Sequence, residues 1–336
     1  MHAHLDCYSG ISGDMFLGAI VDAGLAVKDL HGPLQSLEVD GWTLVLAERR
    51  DPRIGGSKVD VVLGAGHDHH HRRLPDVLRI IESGQELPAV VRERAARVFR
   101  VLAKAEAQVH GIPEEEVHFH EVGAVDAIID VVGTVLGLEL LGVETLSCAP
   151  LPIGSGTVKA AHGLLPVPAP ATALLLRGLP TIPAEGEAPT GELVTPTGAA
   201  LVKVLCERFG APPPMQLDRV AYGLGTRDRG PIPNALRVLF GTRVDAEAQA
   251  VDVLTATIDD MDSRLFGPLT ERLLADGALD VTLRPVYAKK GRPAVEVTVL
   301  SPAERSQRER LQARIFRETT TLGLRWRREH RATLER

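Results

Sequence analysis

The most apolar stretch of the chain, Val122 to Val143, carries three acids: Asp126, Asp130 and Glu139. A segment with that much charge makes a poor membrane span. It reads instead as a helix over Ala124–Leu141 that is buried on nearly every side, which requires a sizeable core around it. Asp126 and Asp130 are four residues apart and share one helix face. Acids on an apolar helix near its start are costly unless they are paired or coordinated.

What precedes this helix suggests a partner for them. In His118-Phe119-His120-Glu121 the two imidazoles of an extended segment project to one side. Neutral imidazole is a common ligand for borderline transition metals. His118, His120, Asp126 and Asp130 therefore form a candidate metal site. A second cluster, His67, His69, His70 and His71, lies in a glycine-flanked polar loop over 64–73 and reads as a flexible metal collector. Ni(II), Cu(II) and Zn(II) all suit these donors, and spacing does not choose among them. The competing reading has the acids complementing the helix dipole and the histidine loop simply solvated. A metal-dependent phosphohydrolase is disfavoured, because the chain has no compact two-metal His/Asp motif.

Composition narrows the classes further. A net charge of −6 and an aromatic content of 4% argue against a nucleic-acid binder. Basic residues from Arg305 to Arg336 leave room for a local phosphate site. Cys7, Cys148 and Cys206 form no CxxC pair, which suits a reducing cytoplasm and a protein without disulfides. No signal-peptide core precedes the strand-like segment His4–Tyr8.

At 336 residues the chain exceeds one typical core, and an α+β architecture in two parts is expected. Residues 1–243 read as an α/β metal-handling region. A helix over Met15–Ala23 ends at Gly24, and strands span Trp42–Arg49 and Lys58–Leu63. Helical periodicity begins at Leu74, and a long helix from Pro88 through Ala107 is closed by Gly111. Further helices fall at Val167–Leu176 and at Pro196–Arg208, the latter with Thr195 as N-cap. Ala149–Gly156 and Pro180–Gly191 read as connections, and Ala235–Phe240 as a strand. Residues 251–336 follow the order strand Val251–Ile258, helix Ser263–Ala275, strands Leu279–Tyr287 and Ala294–Leu300, helix Pro302–Phe316, strand Leu322–Arg327. That is the βαββαβ order of a ferredoxin-like domain.

Three other segments are weaker candidates. Asp6-Cys7-Tyr8-Ser9-Gly10-Ile11-Ser12-Gly13-Asp14 is either a tight strand-to-helix turn or a cradle in which Asp6 and Asp14 hold a cation; the spacing favours the turn. Gly223, Gly225 and Arg227 could meet a phosphate or form an irregular hairpin. Asp259 and Asp260, Lys289 and Arg292, and Thr320 with Arg325 are the ingredients of a metal–nucleotide site; the alternatives are a helix cap and a solvated hairpin tip.

Leu5-Asp6-Cys7-Tyr8-Ser9-Gly10-Ile11-Ser12-Gly13-Asp14-Met15 resembles the opening signature of the LarC family. So do the run from His118 through Asp130, Pro196-Thr197-Gly198-Ala199-Ala200, Asn234-Ala235-Leu236-Arg237-Val238, Ile258-Asp259-Asp260-Met261 and Glu318-Thr319-Thr320-Thr321-Leu322-Gly323. The resemblance implies CTP-dependent insertion of nickel into pyridinium-3,5-bisthiocarboxylic acid mononucleotide, giving the nickel-pincer nucleotide used by lactate racemase. It implies Ni(II) near His118, His120 and Glu121, with His120 or Glu121 as the base. It implies CTP with Mn(II) or Mg(II) near Asp259, Asp260, Lys289, Arg292, Thr320 and Arg325. A homo-oligomer in transient contact with a racemase-type apoenzyme is expected; the one departure from the family is a C-terminal domain shortened at Arg336, which bears on the CTP site. A nickel store or metallochaperone without chemistry is the rival reading, and nucleotide dependence separates the two.

Overall fold

The computed structural model describes residues 1–47, 51–64, 72–119, 124–160, 163–184, 190–227, 232–244 and 250–331. The chain divides into two compact units, Met1–Arg243 and Val244–Arg336.

The first unit opens with β1 (His2–Asp6), α1 (Gly13–Asp22), α2 (Val27–Leu34), β2 (Trp42–Ala47), β3 (Lys58–Leu63), β4 (Arg72–Arg73), α3 (Leu74–Ser83) and α4 (Ala89–His110). It continues with β5 (His118–Phe119), α5 (Val125–Leu140), β6 (Thr145–Cys148), β7 (Leu151–Ile153), β8 (Thr157–Ala160), β9 (Gly163–Pro166), α6 (Pro170–Leu176) and β10 (Thr181–Pro183). It closes with α7 (Pro196–Leu205), β11 (Arg208–Phe209), β12 (Met215–Leu224) and β13 (Ala235–Arg243).

Its central sheet has the order β11-β6-β1-β13-β12. β11, β6 and β1 run parallel, and β13 and β12 are antiparallel to their neighbours. His2, Ala3, His4 and Leu5 of β1 are all buried, so this strand is covered on both faces.

The apolar run forms α5 as expected, with Ile128, Ile129, Val131, Val132, Val135 and Leu136 at most 1% exposed. Such all-round burial needs close neighbours. A Cβ at Gly137 would strike the Ile20 side chain, and one at Gly133 would come within 3.2 Å of Leu17, so these glycines let α1 lie against α5. Gly223 serves the other side of α1, since a Cβ there would run into the carbonyl of Met15. Two backbones cannot part without repacking, so Gly223→Ala is expected to cost about 3 kcal/mol, read as a lower urea midpoint.

The second unit holds β14 (Ala250–Ile258), α8 (Phe266–Ala275), β15 (Asp280–Tyr287), β16 (Pro293–Pro302), α9 (Arg305–Glu318) and β17 (Arg325–His330). The sheet is antiparallel in the order β15-β16-β14-β17. Leu254, Ala256, Val297 and Val299 from the sheet pack on Phe266, Leu269, Leu273, Leu311 and Ile315 of α8 and α9. The next residues along the strands, Thr255, Thr282 and Thr298, are register partners on the other face.

Several boundaries differ from the sequence reading. Ala149–Gly156 and Pro180–Gly191 contain the short strands β7 and β10, which pair in parallel with each other. Helix α7 stops at Leu205, and Arg208–Phe209 joins the central sheet instead. Helix α6 begins only at Pro170. The last helix is displaced to Arg305–Glu318 and the last strand to Arg325–His330. Among the described residues, no helix is long and apolar enough to cross a membrane.

Candidate functional site

Beyond the C-terminal end of β1 the chain turns through Cys7–Ser12 into α1. Gly10 takes φ +97°, a region that favours glycine, and its α-carbon lies so close to the Leu193 carbonyl that a Cβ would overlap it. The turn is then clasped from both sides. Ile11 N donates to Leu193 O at 3.0 Å, and Thr195 N donates to Ile11 O at 3.1 Å. Thr195 caps α7, its hydroxyl accepting from Gly198 N at 3.1 Å. A Cβ at Gly13 would sit 2.9 Å from the Asp130 Cβ, so glycine allows the first turn of α1 to reach α5.

The starts of α1, α5 and α7 therefore meet around one cavity of about 370 Å³. Asp14, Asp60, Asp126, Asp130 and Glu192 line it, with Ser12, Thr195, Thr197, Thr226 and Lys58 among the remaining residues. Acids outnumber the one lysine among its lining residues, so the cavity is acid-rich. Asp14 and Asp126 stand in the first turns of α1 and α5, where the helix dipole favours an anion. The Ser12 hydroxyl donates to Asp14.

Lys58 holds the acids together. Its side chain is only 5% exposed, with Nζ 2.8 Å from Asp14 Oδ2 and 2.9 Å from Asp60 Oδ1. Burial alone would lower its pKa, but the charge and hydrogen bonds of Asp14, followed by those of Asp60, outweigh this and raise it. For Asp130 the charge of Lys58 offsets too little. Burial pushes its carboxyl well above the usual carboxylate range, and the charges of Asp14 and Asp126 push it further. Lys58→Met keeps the side-chain volume but leaves Asp14 and Asp60 without their cation. It is expected to cost about 3 kcal/mol in a urea melt.

The residues singled out from sequence fare unequally. Asp126 and Asp130 come together in this cavity. His118 is not among its lining residues. It is exposed on β5, where its Nε2 accepts from Arg73 Nε at 3.0 Å. His67, His69, His70, His71, His120 and Glu121 lie outside the described residues. Asp6 is not the partner of Asp14 but of Arg237, whose Nε donates to it at 2.9 Å. Lys58, Asp60 and Glu192 line the cavity without being singled out by sequence spacing. The available signal was Lys58 and Asp60 two apart on a strand, which puts both charges on one face. Among the described residues, no three His, Cys, Asp or Glu side chains are placed to hold a single metal ion.

In the second unit, one end of the sheet gathers the acids and bases named from sequence. Arg292 Nη1 lies 3.5 Å from Asp259 Oδ2, and the Thr320 hydroxyl donates to Asp260. Lys289 stands exposed in the turn between β15 and β16. Arg325 lies apart from these, in a cavity of about 440 Å³ on the open sheet face with Thr255, Thr282, Arg284, Glu296 and Thr298.

A family described as nickel insertion protein matches residues 3–336. A pyridinium-3,5-bisthiocarboxylic acid mononucleotide nickel insertion protein of Desulfitobacterium hafniense, strain DCB-2, is 45% identical over 331 residues, covering 96% of this chain and 80% of that protein. The protein of the same description from strain Y51 is equally similar, at 45% identity with the same coverage. Among solved structures, LarC2, the C-terminal domain of a cyclometallase involved in synthesis of the NPN cofactor of lactate racemase, is 36% identical. That match covers 25% of this chain and 56% of that one, with a TM-score of 0.24. The chain belongs to the nickel insertion protein family.

Proposed function

We propose that the chain inserts nickel into pyridinium-3,5-bisthiocarboxylic acid mononucleotide, that the reaction depends on CTP, and that the acid-lined cavity of the first unit is where nickel and mononucleotide meet. One observation carries this reading: Asp14, Asp60, Asp126 and Asp130 converge from three elements on one cavity with a single buried lysine. A site so rich in acids attracts a divalent cation and repels an unaccompanied anion, so nickel enters before or with the anionic substrate.

The donor set fits this division of labour. Soft sulfur suits Ni(II), and square-planar geometry is natural for it. The substrate brings two thiocarboxylate sulfurs and the ring carbon that bonds the metal, so the protein needs to supply few ligands. Lys58 faces the same space and is the group to meet a substrate thiocarboxylate or phosphate oxygen. The ring proton must leave as the carbon–nickel bond forms. We assign its removal to His120 or Glu121, a few residues ahead of α5 in sequence.

The second unit, with its βαββαβ order, is read as a ferredoxin-like nucleotide-binding domain. Asp259 and Asp260 are hard oxygen donors of the kind that share Mg(II) or Mn(II) with phosphates, and Lys289, Arg292 and Thr320 offer donors to phosphate oxygens. The metal would screen the phosphate charge there. The assembly is read as a cytoplasmic homo-oligomer that delivers its product to a racemase-type apoenzyme.

The test mixes purified protein, the bisthiocarboxylated mononucleotide, nickel and CTP. A new absorbing species that activates lactate racemase apoenzyme, and that requires CTP, supports the reading; nickel binding with no such species in any nucleotide contradicts it. Replacing His67, His69, His70 and His71 with alanine is expected to lower the number of nickel ions bound per chain at equilibrium dialysis. Turnover at saturating nickel should stay within about twofold, because a flexible collector is not the fixed site.

A further inference from the structure

All three cysteines, at positions 7, 148 and 206, meet at one spot in the first unit, although nothing in their sequence spacing suggests it. Cys7 follows β1, Cys148 ends β6 and Cys206 caps the C-terminus of α7. The sulfurs of Cys7 and Cys148 are 3.6 Å apart, and Cys206 lies close enough to bear on the Cys148 thiol. They are 1%, 0% and 9% exposed.

Buried cysteines often serve only as small apolar side chains. Here all three lie in the apolar core, and a polar chain runs along the alternate positions of β1 and β6. Thr145 Oγ1 bonds His2 Nδ1, His2 Nε2 bonds Ser147 Oγ, and Ser147 Oγ bonds His4 Nδ1, each at 2.8 Å. His4 lies close enough to Cys148 for each to feel the other's charge. Hydrogen bonds from Cys206 and then Cys7 hold the Cys148 thiol well below the usual thiol range. Cys7 is pushed up by its hydrogen bond to Cys148 and by burial. Of the pair, Cys148 is the readier to lose its proton. None of these groups lines the acid cavity.

We propose that Cys7 and Cys148 are a dithiol that a peroxide converts reversibly into a disulfide joining the end of β1 to the end of β6. The Cys148 thiolate attacks one peroxide oxygen, the O–O bond breaks and the first water leaves, giving a sulfenic acid. The Cys7 sulfur then attacks Cys148, the S–O bond breaks and the second water leaves with the remaining proton. Two thiols lose two electrons and two protons, and the peroxide takes up both. The sulfurs close from 3.6 Å to a bond of about 2.0 Å by side-chain rotation and a small backbone shift.

Cys7 is also the root of the turn that carries Ser12 and Asp14 to the cavity, and its carbonyl accepts from Gly10 N at 2.8 Å. The disulfide pins that root to β6, so the inference predicts slower nickel insertion in the oxidised protein. This half rests on the cavity reading above; the covalent half does not.

The experiment treats folded full-length protein with hydrogen peroxide, blocks free thiols under denaturing conditions and maps peptides without reduction. The expected product is lighter by two hydrogens, has Cys7 linked to Cys148, and keeps Cys206 as its one alkylated cysteine. Dithiothreitol should return three alkylatable thiols. Cys206→Ser should still form the link, and Cys7→Ser should not. Three free thiols after treatment, a link involving Cys206, or oxidation only to sulfonic acid would overturn the proposal. Because mapping reads the bond itself, its failure leaves the cavity reading intact. A link that forms without slowing insertion overturns the coupling to the cavity.

Discussion

Asp130→Asn is expected to make the protein at least as stable as the native chain at neutral pH while lowering nickel insertion by about a hundredfold or more. The two effects share one cause. Burial, with Asp14 and Asp126 nearby, raises the carboxyl of Asp130 well above its ordinary value. An acid whose folded pKa is raised is tolerated below its unfolded pKa and opposes folding as pH climbs towards the folded value. The native protein should therefore lose stability from about pH 4 upward relative to Asp130→Asn, which has nothing to ionise. Thermal melts of both proteins from pH 4 to 8 check the sign, and insertion assays check the loss. A variant that is less stable at pH 7 and as active as the native chain would contradict both the electrostatics and the site.

Asp252→Ala is expected to show the opposite behaviour in the second unit. The Asp252 side chain is 0% exposed and sits between Arg308 Nη1 at 2.8 Å and Arg328 Nε at 2.9 Å. Arg308 in turn stacks on Trp326, its guanidinium carbon 3.9 Å from the ring centre. Removing the acid leaves two guanidinium groups beside each other, and a cost of about 4 kcal/mol is expected. Burial alone would raise the Asp252 carboxyl, but hydrogen bonds from Arg328 and Arg308 outweigh it and hold it below the ordinary range. A depressed acid stabilises above its unfolded pKa and loses that contribution as pH falls through the folded value. The gap between the native chain and Asp252→Ala should thus be constant above about pH 5 and close below about pH 4. Urea melts of the second unit's transition across this range measure it.

Much of the fold could be read from local signals, because those signals act over a few residues. Pro88 and Gly111 bracket α4, and Gly111 takes the left-handed conformation that its position implied. The apolar run became α5 within one residue at each end. Thr195 caps α7 through its hydroxyl. What could not be read depends on pairing across long separations. Thr145–Cys148 becomes a strand because β1 offers a parallel partner over 140 residues away. Leu151–Ile153 and Thr181–Pro183 are strands only because they find each other. The segment from Asp6 to Asp14 forms the tight turn that its spacing favoured; Asp6 pairs with Arg237 and Asp14 with Lys58, so the two acids do not share a partner. The thiol cluster was invisible for the same reason, since three widely spaced cysteines carry no local pattern.

On the proposed function, nickel binds where α1, β3 and α5 converge. Crystals of the full chain grown with nickel and the mononucleotide, with diffraction recorded on both sides of the nickel absorption edge, test it most directly. The account predicts an anomalous peak within coordination distance of Asp14, Asp60 or Asp130, with Lys58 beside the bound mononucleotide. A fully occupied nickel peak elsewhere, with water alone among those carboxylates, would contradict it.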